Sequence, residues 1–291
     1  MILPEFTYLK TETVKETCQL LKQYNEEGKT AKLMAGGTDL INFVKVGSIQ
    51  PDSIIDIKEI KGLDEITMGE DGLTIGALTK LYDIEHSALV KEHYPALAEA
   101  VHLIASTQIR SKGTLTGNIC NASPSADSVP ALFALDAELI VEGLAGQRKV
   151  PICEFYKGFK KVDLAADEMV TAIKIPPIQE DTKAAYVAHT VRKAMDLAIV
   201  GVGASITLDK EGICQDAKIA LGAVAIHCVR APKAEAFLKG KKLTEEVIAE
   251  AGVKAMEDCA PISDVRASAE YRHDMVRVFT GRAIKKAMER F

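Results

Sequence analysis

The sequence has no tryptophan, and aromatic residues fill only 5% of its 291 positions. That leaves modest material for an organic-substrate pocket. Its six cysteines, Cys18, Cys120, Cys153, Cys214, Cys228 and Cys259, form no CxxC pair. Neither a zinc site nor a ferredoxin-like cluster has local support, and buried thiols are the expectation. The six histidines stand singly, with no HxxxH or HExxH, so no metal site is expected. GxGxxG and GxxxxGK[ST] are both missing, which weakens the usual Rossmann and P-loop readings. Gly203-Ala204-Ser205-Ile206 fails the GxSxG elbow, so covalent catalysis has no support. No stretch approaches the apolar length of a membrane span, and residues 1–10 include Glu5 and no signal-peptide core, so a cytoplasmic chain is expected. The net charge of −5, with both signs mixed along the chain, gives no basic face for nucleic acid or anionic membrane. Small solutes and protein surfaces are the expected partners.

What is present suits a globular chain. Hydrophobic residues make up 47% and charged residues 26%, and the length favours two domains. Thr13 and Glu16 have capping-box spacing, and Val14, Cys18 and Leu21 share one helical face, which predicts a helix over residues 13–24. A strand at residues 31–34 runs into a glycine turn and a second helix. Further strands are expected at residues 53–57 and 73–78, a helix after Pro95 over residues 96–104, and another at residues 130–135. Paired prolines in Ile175-Pro176-Pro177, followed by a polar run to Lys183, mark the domain join. Beyond it, apolar runs at residues 197–208 and 213–224 precede helical patterns at residues 233–238, 245–257 and 267–290, which makes the C-terminal domain α+β.

Chemistry concentrates in two glycine-bearing segments. Ala35-Gly36-Gly37-Thr38-Asp39-Leu40 follows a strand and opens a helix, so the amides of Gly37, Thr38 and Asp39, with the Thr38 hydroxyl, could cradle a phosphate. A ligand-free tight turn is the alternative. Gly113-Thr114-Leu115-Thr116-Gly117-Asn118 offers backbone approach again, with Thr114, Asn118, Ser123 and Asp127 as polar groups, and is expected to be a loop. Two separated phosphate-type segments suit a dinucleotide. Arg266, Arg272, Arg277, Arg282 and Arg290 suggest either an anion site or a solvated, partner-facing surface.

These residues resemble the FAD-binding subunits of molybdenum hydroxylases, such as the medium subunits of bacterial xanthine, nicotinate and carbon monoxide dehydrogenases. The resemblance spans the chain. Residues 35–40 resemble that family's first flavin loop. Gln108-Ile109-Arg110 through Asn118-Ile119-Cys120, continued by Ser125-Ala126-Asp127, resemble its second. Arg192-Lys193-Ala194-Met195-Asp196, Leu221-Gly222 with Val229-Arg230-Ala231, and residues 263–272 resemble its C-terminal motifs.

The resemblance implies an α+β chain: a two-lobed FAD-binding domain of the vanillyl-alcohol oxidase (PCMH) type at residues 1–177, with lobes at about 1–57 and 58–177. A small domain of antiparallel sheet and helices follows at residues 184–291. It implies FAD held by Gly36, Gly37, Thr38, Asp39 and Leu40 at the pyrophosphate, with Leu33 and Ala35 also among the cofactor-binding residues. Thr114, Gly117, Asn118 and Asp127 would line the flavin and ribityl side, with Ile109, Gly113 and Ser123 also cofactor-binding and Ile104 packed near the cofactor. Partner subunits would hold the molybdenum cofactor and [2Fe–2S] clusters, and NAD or another acceptor would take the electrons. Xanthine is the first substrate expected on the partner and nicotinate the second. Two departures stand out: Thr116 replaces a glycine, and Ala188 and His189 occupy a stretch where many relatives have a lysine. A free-standing FAD oxidase and a scaffold that has lost its flavin are the rival readings.

Overall fold

A computed structural model describes residues 3–192 and 194–291; Lys193, within one of the resembled motifs, lies outside the described residues. Among the described residues, three sheets of three or more strands and one two-stranded sheet organise the chain. The first is built from β1 (Thr7–Lys10), α1 (Val14–Glu26), β2 (Ala31–Met34), α2 (Leu40–Lys45) and β3 (Ser53–Asp56), with the strands parallel in the order β1-β3-β2. Thr13 caps α1, its Oγ1 accepting the Glu16 amide at 3.1 Å, while the Glu16 carboxylate reaches back to the Glu12 amide at 3.0 Å. Such a cap stabilises a helix by about 1 kcal/mol. Cys18 lies in the small core beneath this sheet with Ile55 and Ile57, and Val14, Leu21, Leu33 and Ala35 pack against it.

The second region begins with β4 (Ile66–Gly69) and β5 (Gly72–Gly76). Six helices follow: α3 (Leu81–His86), α4 (Ala88–His93), α5 (Pro95–Leu103), α6 (Thr107–Arg110), α7 (Leu115–Cys120) and α8 (Ser128–Ala134). Then come β6 (Glu138–Gly143), β7 (Gly146–Pro151), α9 (Ile152–Phe155), β8 (Tyr156–Gly158), β9 (Lys161–Val162) and β10 (Met169–Ile175). The antiparallel sheet runs β4-β5-β10-β6-β7 and shares one core with the helices. The expected loop at residues 113–118 is corrected here: residues 115–120 are helical. Thr114 Oγ1 accepts the Gly117 amide at 3.0 Å, so a threonine cap overrides the loop-forming tendency of glycine.

The third region is an antiparallel sheet of β11 (Thr182–His189), β12 (Val200–Leu208), β13 (Cys214–Gly222) and β14 (Val229–Arg230). It is covered by α10 (Pro232–Leu238), α11 (Glu245–Met256) and α12 (Ala269–Met288). The partner-facing reading of the arginine series is corrected in part. Arg272 is buried, donating to the Ile199 carbonyl at 2.7 Å and the Ala223 carbonyl at 3.1 Å, and Arg290 binds Glu99 and the Ala184 carbonyl within the chain. Burial pushes the thiols of Cys18 and Cys214 up to about 11 and that of Cys120 to about 12, so these sulfurs stay protonated and unreactive at neutral pH. Among the described residues, no helix is long and apolar enough to cross a membrane.

Candidate functional site

The first glycine segment leaves β2 at Met34 and enters α2 at Leu40. Gly37 takes φ +72°, in the left-handed region that favours glycine, and a β-carbon there would meet Met34 Sδ at 3.2 Å and Ile41 Cγ1 at 3.4 Å. The side that glycine keeps free at Gly37 therefore faces the chain itself. Asp39, exposed, precedes α2 without a side-chain capping bond. Among the described residues, no acceptor reaches the five successive amides of residues 36–40, while the amides of Ile41 and Phe43 bond back to the Gly37 and Asp39 carbonyls. A row of unpaired amides at a strand-to-helix turn is an anion-binding arrangement.

The second segment is anchored from below. Ile104 is buried and Ala105 takes φ +48°. Arg110, also buried, donates to the Ile104 carbonyl at 2.9 Å and pairs with Glu85 at 2.7 Å. This pair, absent from the sequence reading, fixes the path of residues 104–110. Ile109 projects outward. The chain then turns at Lys112 and Gly113 against the first segment: a β-carbon on Gly36 would overlap the Lys112 carbonyl and lie 2.8 Å from Gly113 Cα. A β-carbon on Gly113 would lie 3.3 Å from Thr38 Oγ1. The two glycine segments found separately in the sequence are thus one backbone contact.

On the far side of α7, Asn118 Oδ1 accepts from Ser128 Oγ at 2.6 Å, and Ser123 and Ser125 share a hydroxyl contact of 3.3 Å. Asp127 is buried, and its Oδ1 accepts from the Tyr186 hydroxyl at 2.7 Å. Burial pushes the Asp127 carboxyl up to about 6, opposed by that hydrogen bond. Asp127 also lines a shallow cavity with Leu103, Thr190, Arg192 and Asp196. Thr116 is buried, and its hydroxyl has no partner among the described residues. Leu33 stays in the strand, opposite Ile55, as part of the small core. The arrangement can hold an extended anion across the amide row, with polar groups of α7 and the 123–127 turn farther along.

Comparison with known proteins adds independent findings. A family model described as the FAD binding domain in molybdopterin dehydrogenase matches residues 4–178, and one described as the CO dehydrogenase flavoprotein C-terminal domain matches residues 185–287. The glyceraldehyde dehydrogenase medium chain of Sulfolobus acidocaldarius is 34% identical over 286 residues, 98% of this chain and 99% of the relative. The xanthine dehydrogenase FAD-binding subunit of Escherichia coli is 33% identical over 284 residues, 97% of this chain and 96% of the relative. A chain in the solved structure of carbon monoxide dehydrogenase from Hydrogenophaga pseudoflava superposes with a TM-score of 0.94 at 34% identity, covering 100% of this chain and 99% of that one.

Proposed function

This chain belongs to the FAD-binding subunits of molybdopterin dehydrogenases, and from that membership we propose that it passes electrons within a larger molybdenum hydroxylase. It is an oxidoreductase subunit with an FAD-binding domain and a C-terminal flavoprotein domain, and its cofactor is FAD. When bound, a flavin takes electrons singly or in pairs and gives a hydride to a nicotinamide, while the protein supplies binding, orientation and electrostatics.

The observation that supports this reading most is the row of free amides at residues 36–40, closed on one side by the second segment. In this reading Gly36, Gly37, Thr38, Asp39 and Leu40 bind the pyrophosphate through backbone N–H groups, with Leu33 and Ala35 packed behind them. Ile109, Gly113, Thr114, Gly117 and Asn118 line the cofactor farther along. Ser123 and Asp127 serve its ribityl and flavin side, and Ile104 packs against it. The residues fit an anionic dinucleotide, because the amide row supplies donors without a capping carboxylate competing for them.

Electrons would arrive from [2Fe–2S] clusters on one partner, which draw them from a molybdenum cofactor on another, and leave to NAD or another acceptor. We assign xanthine as the substrate of the assembly, with nicotinate second. The xanthine dehydrogenase subunit is one relative of this kind, and the glyceraldehyde and carbon monoxide relatives, equally similar, support the broader class. The assembly is placed in the cytoplasm, and the domain division at residues 1–177 and 184–291 belongs to the same proposal. Co-expression with the neighbouring genes tests it. A complex containing FAD, iron and molybdenum that hydroxylates xanthine is expected; hydroxylation by the lone chain would favour the free-standing oxidase.

A further inference from the structure

We propose that Tyr186, in β11 of the C-terminal sheet, is a positioning residue for the FAD site: its hydroxyl fixes the Asp127 carboxylate, so that the C-terminal sheet completes a site whose other proposed ligands precede residue 128. The inference rests on the reading above in that it takes Asp127 to line the cofactor.

Asp127 and Tyr186 are 59 residues apart, yet both are buried and their oxygens lie 2.7 Å from each other. Asp127 precedes α8, where an aspartate ordinarily accepts an amide of its own helix, but its side chain makes no such bond. The carboxylate is committed to the tyrosine instead. Tyr186 is held at each polar group: its amide donates to Glu99 at 2.9 Å, its carbonyl accepts from Lys286 at 3.2 Å, and its hydroxyl has Asp127.

Three glycines make this approach possible. A β-carbon on Gly201 would lie 2.5 Å from the Tyr186 hydroxyl and 3.3 Å from Cζ, so the ring lies over a bare stretch of β12. A β-carbon on Gly203 would overlap the Pro130 carbonyl, and one on Gly222 would come within 2.7 Å of the Pro130 ring. The same glycine floor therefore seats the first turn of α8, which follows Asp127, and the ring that holds Asp127. Ala100, Ala131 and Tyr186 form a small apolar cluster at this join.

The charged and titratable neighbours set the sign of the pH response. Arg192 and Asp196 line the same shallow cavity as Asp127. Glu99 and Lys286 bind the Tyr186 backbone. Burial holds the Asp127 carboxyl up and the Tyr186 hydroxyl opposes it. Removing that hydroxyl should therefore extend the protonated form of Asp127 to higher pH.

The test uses the full chain and FAD itself as probe. FAD affinity by equilibrium titration and flavin midpoint potential are measured across the acid-to-neutral range for wild type, D127N, Y186F, G201A and the D127N/Y186F double variant. D127N should remove the acid limb of both profiles. Y186F should weaken FAD binding about tenfold and move the acid limb upward. G201A, which displaces the hydroxyl without deleting it, should act in the same direction and keeps the test alive should Y186F fail to fold. Y186F should add nothing in the D127N background. Wild-type profiles in Y186F and G201A beside an altered D127N would overturn the positioning role alone, as would full additivity in the double variant. An unchanged D127N would instead remove Asp127 from the site, and the positioning role with it.

Discussion

The carbonyl oxygen of Lys112 occupies the space where a β-carbon on Gly36 would lie. The first and second segments are therefore locked together by backbone, and glycine at position 36 is required by close approach, whereas Gly37 is required by its φ of +72°. Gly36→Ala is expected to push the segments apart and lower FAD affinity at least about a hundredfold, roughly 2.7 kcal/mol. Gly37→Ala carries a strain of about 1–2 kcal/mol and meets only the flexible Met34 and Ile41 side chains, so it should lose less. Retained FAD after dialysis ranks the two, and a Gly36→Ala variant with full flavin would contradict the contact's role.

Thr116 stands where the resembled family has glycine, and its buried hydroxyl has no partner among the described residues. Thr116→Val removes that hydroxyl at nearly constant volume. It should keep FAD and gain about 1 kcal/mol of stability, read as a higher Tm. Loss of flavin with unchanged fold would show the hydroxyl to be a ligand.

Arg272 ties three loops together through the Ile199 and Ala223 carbonyls and Asp264, the last at 2.8 Å. Arg272→Met should cost about 2–4 kcal/mol, measured by denaturant unfolding. The Asp264 carboxyl is held down at about 2, first by the Arg266 amide and also by Arg272. A depressed folded value means that its stabilisation is complete above the ordinary carboxylate range and is lost as pH falls toward about 2. Arg272→Met should flatten that acid-side loss, and an undiminished slope would assign it to the backbone amides alone.

The parts of this fold visible in the sequence are those written in local pattern. Thr13 with Glu16 marked α1, and the strand before Gly36 marked β2. The C-terminal helices also stood out, although α12 starts at Ala269 rather than 267. The helix at Leu115–Cys120 was hidden because Gly117 and Asn118 are weak helix formers, and its stability comes from the Thr114 cap. The hairpin of β6 and β7 was missed as well: its turn at Leu144-Ala145 lacks a turn signature, although glycines flank it. Arg110 with Glu85, and Tyr186 with Asp127, are pairs made by folding across 25 and 59 residues, and no spacing rule reaches them.

Partner dependence gives a separate prediction. The isolated chain should oxidise NADH slowly with an artificial dye and should hydroxylate neither xanthine nor nicotinate, because the proposal puts the hydroxylating molybdenum cofactor on a partner and the cysteine spacing here offers no iron–sulfur ligand set to relay electrons. A steady-state assay of the lone chain, compared with the co-expressed complex, checks both halves.

The measurement that bears most directly on FAD binding is the FAD content of the purified 291-residue chain after extensive dialysis, set beside that of Gly36→Ala with both proteins verified as folded by circular dichroism. One FAD per wild-type chain, lost in the variant, is the predicted result; a folded wild-type chain that neither retains nor rebinds FAD would contradict it.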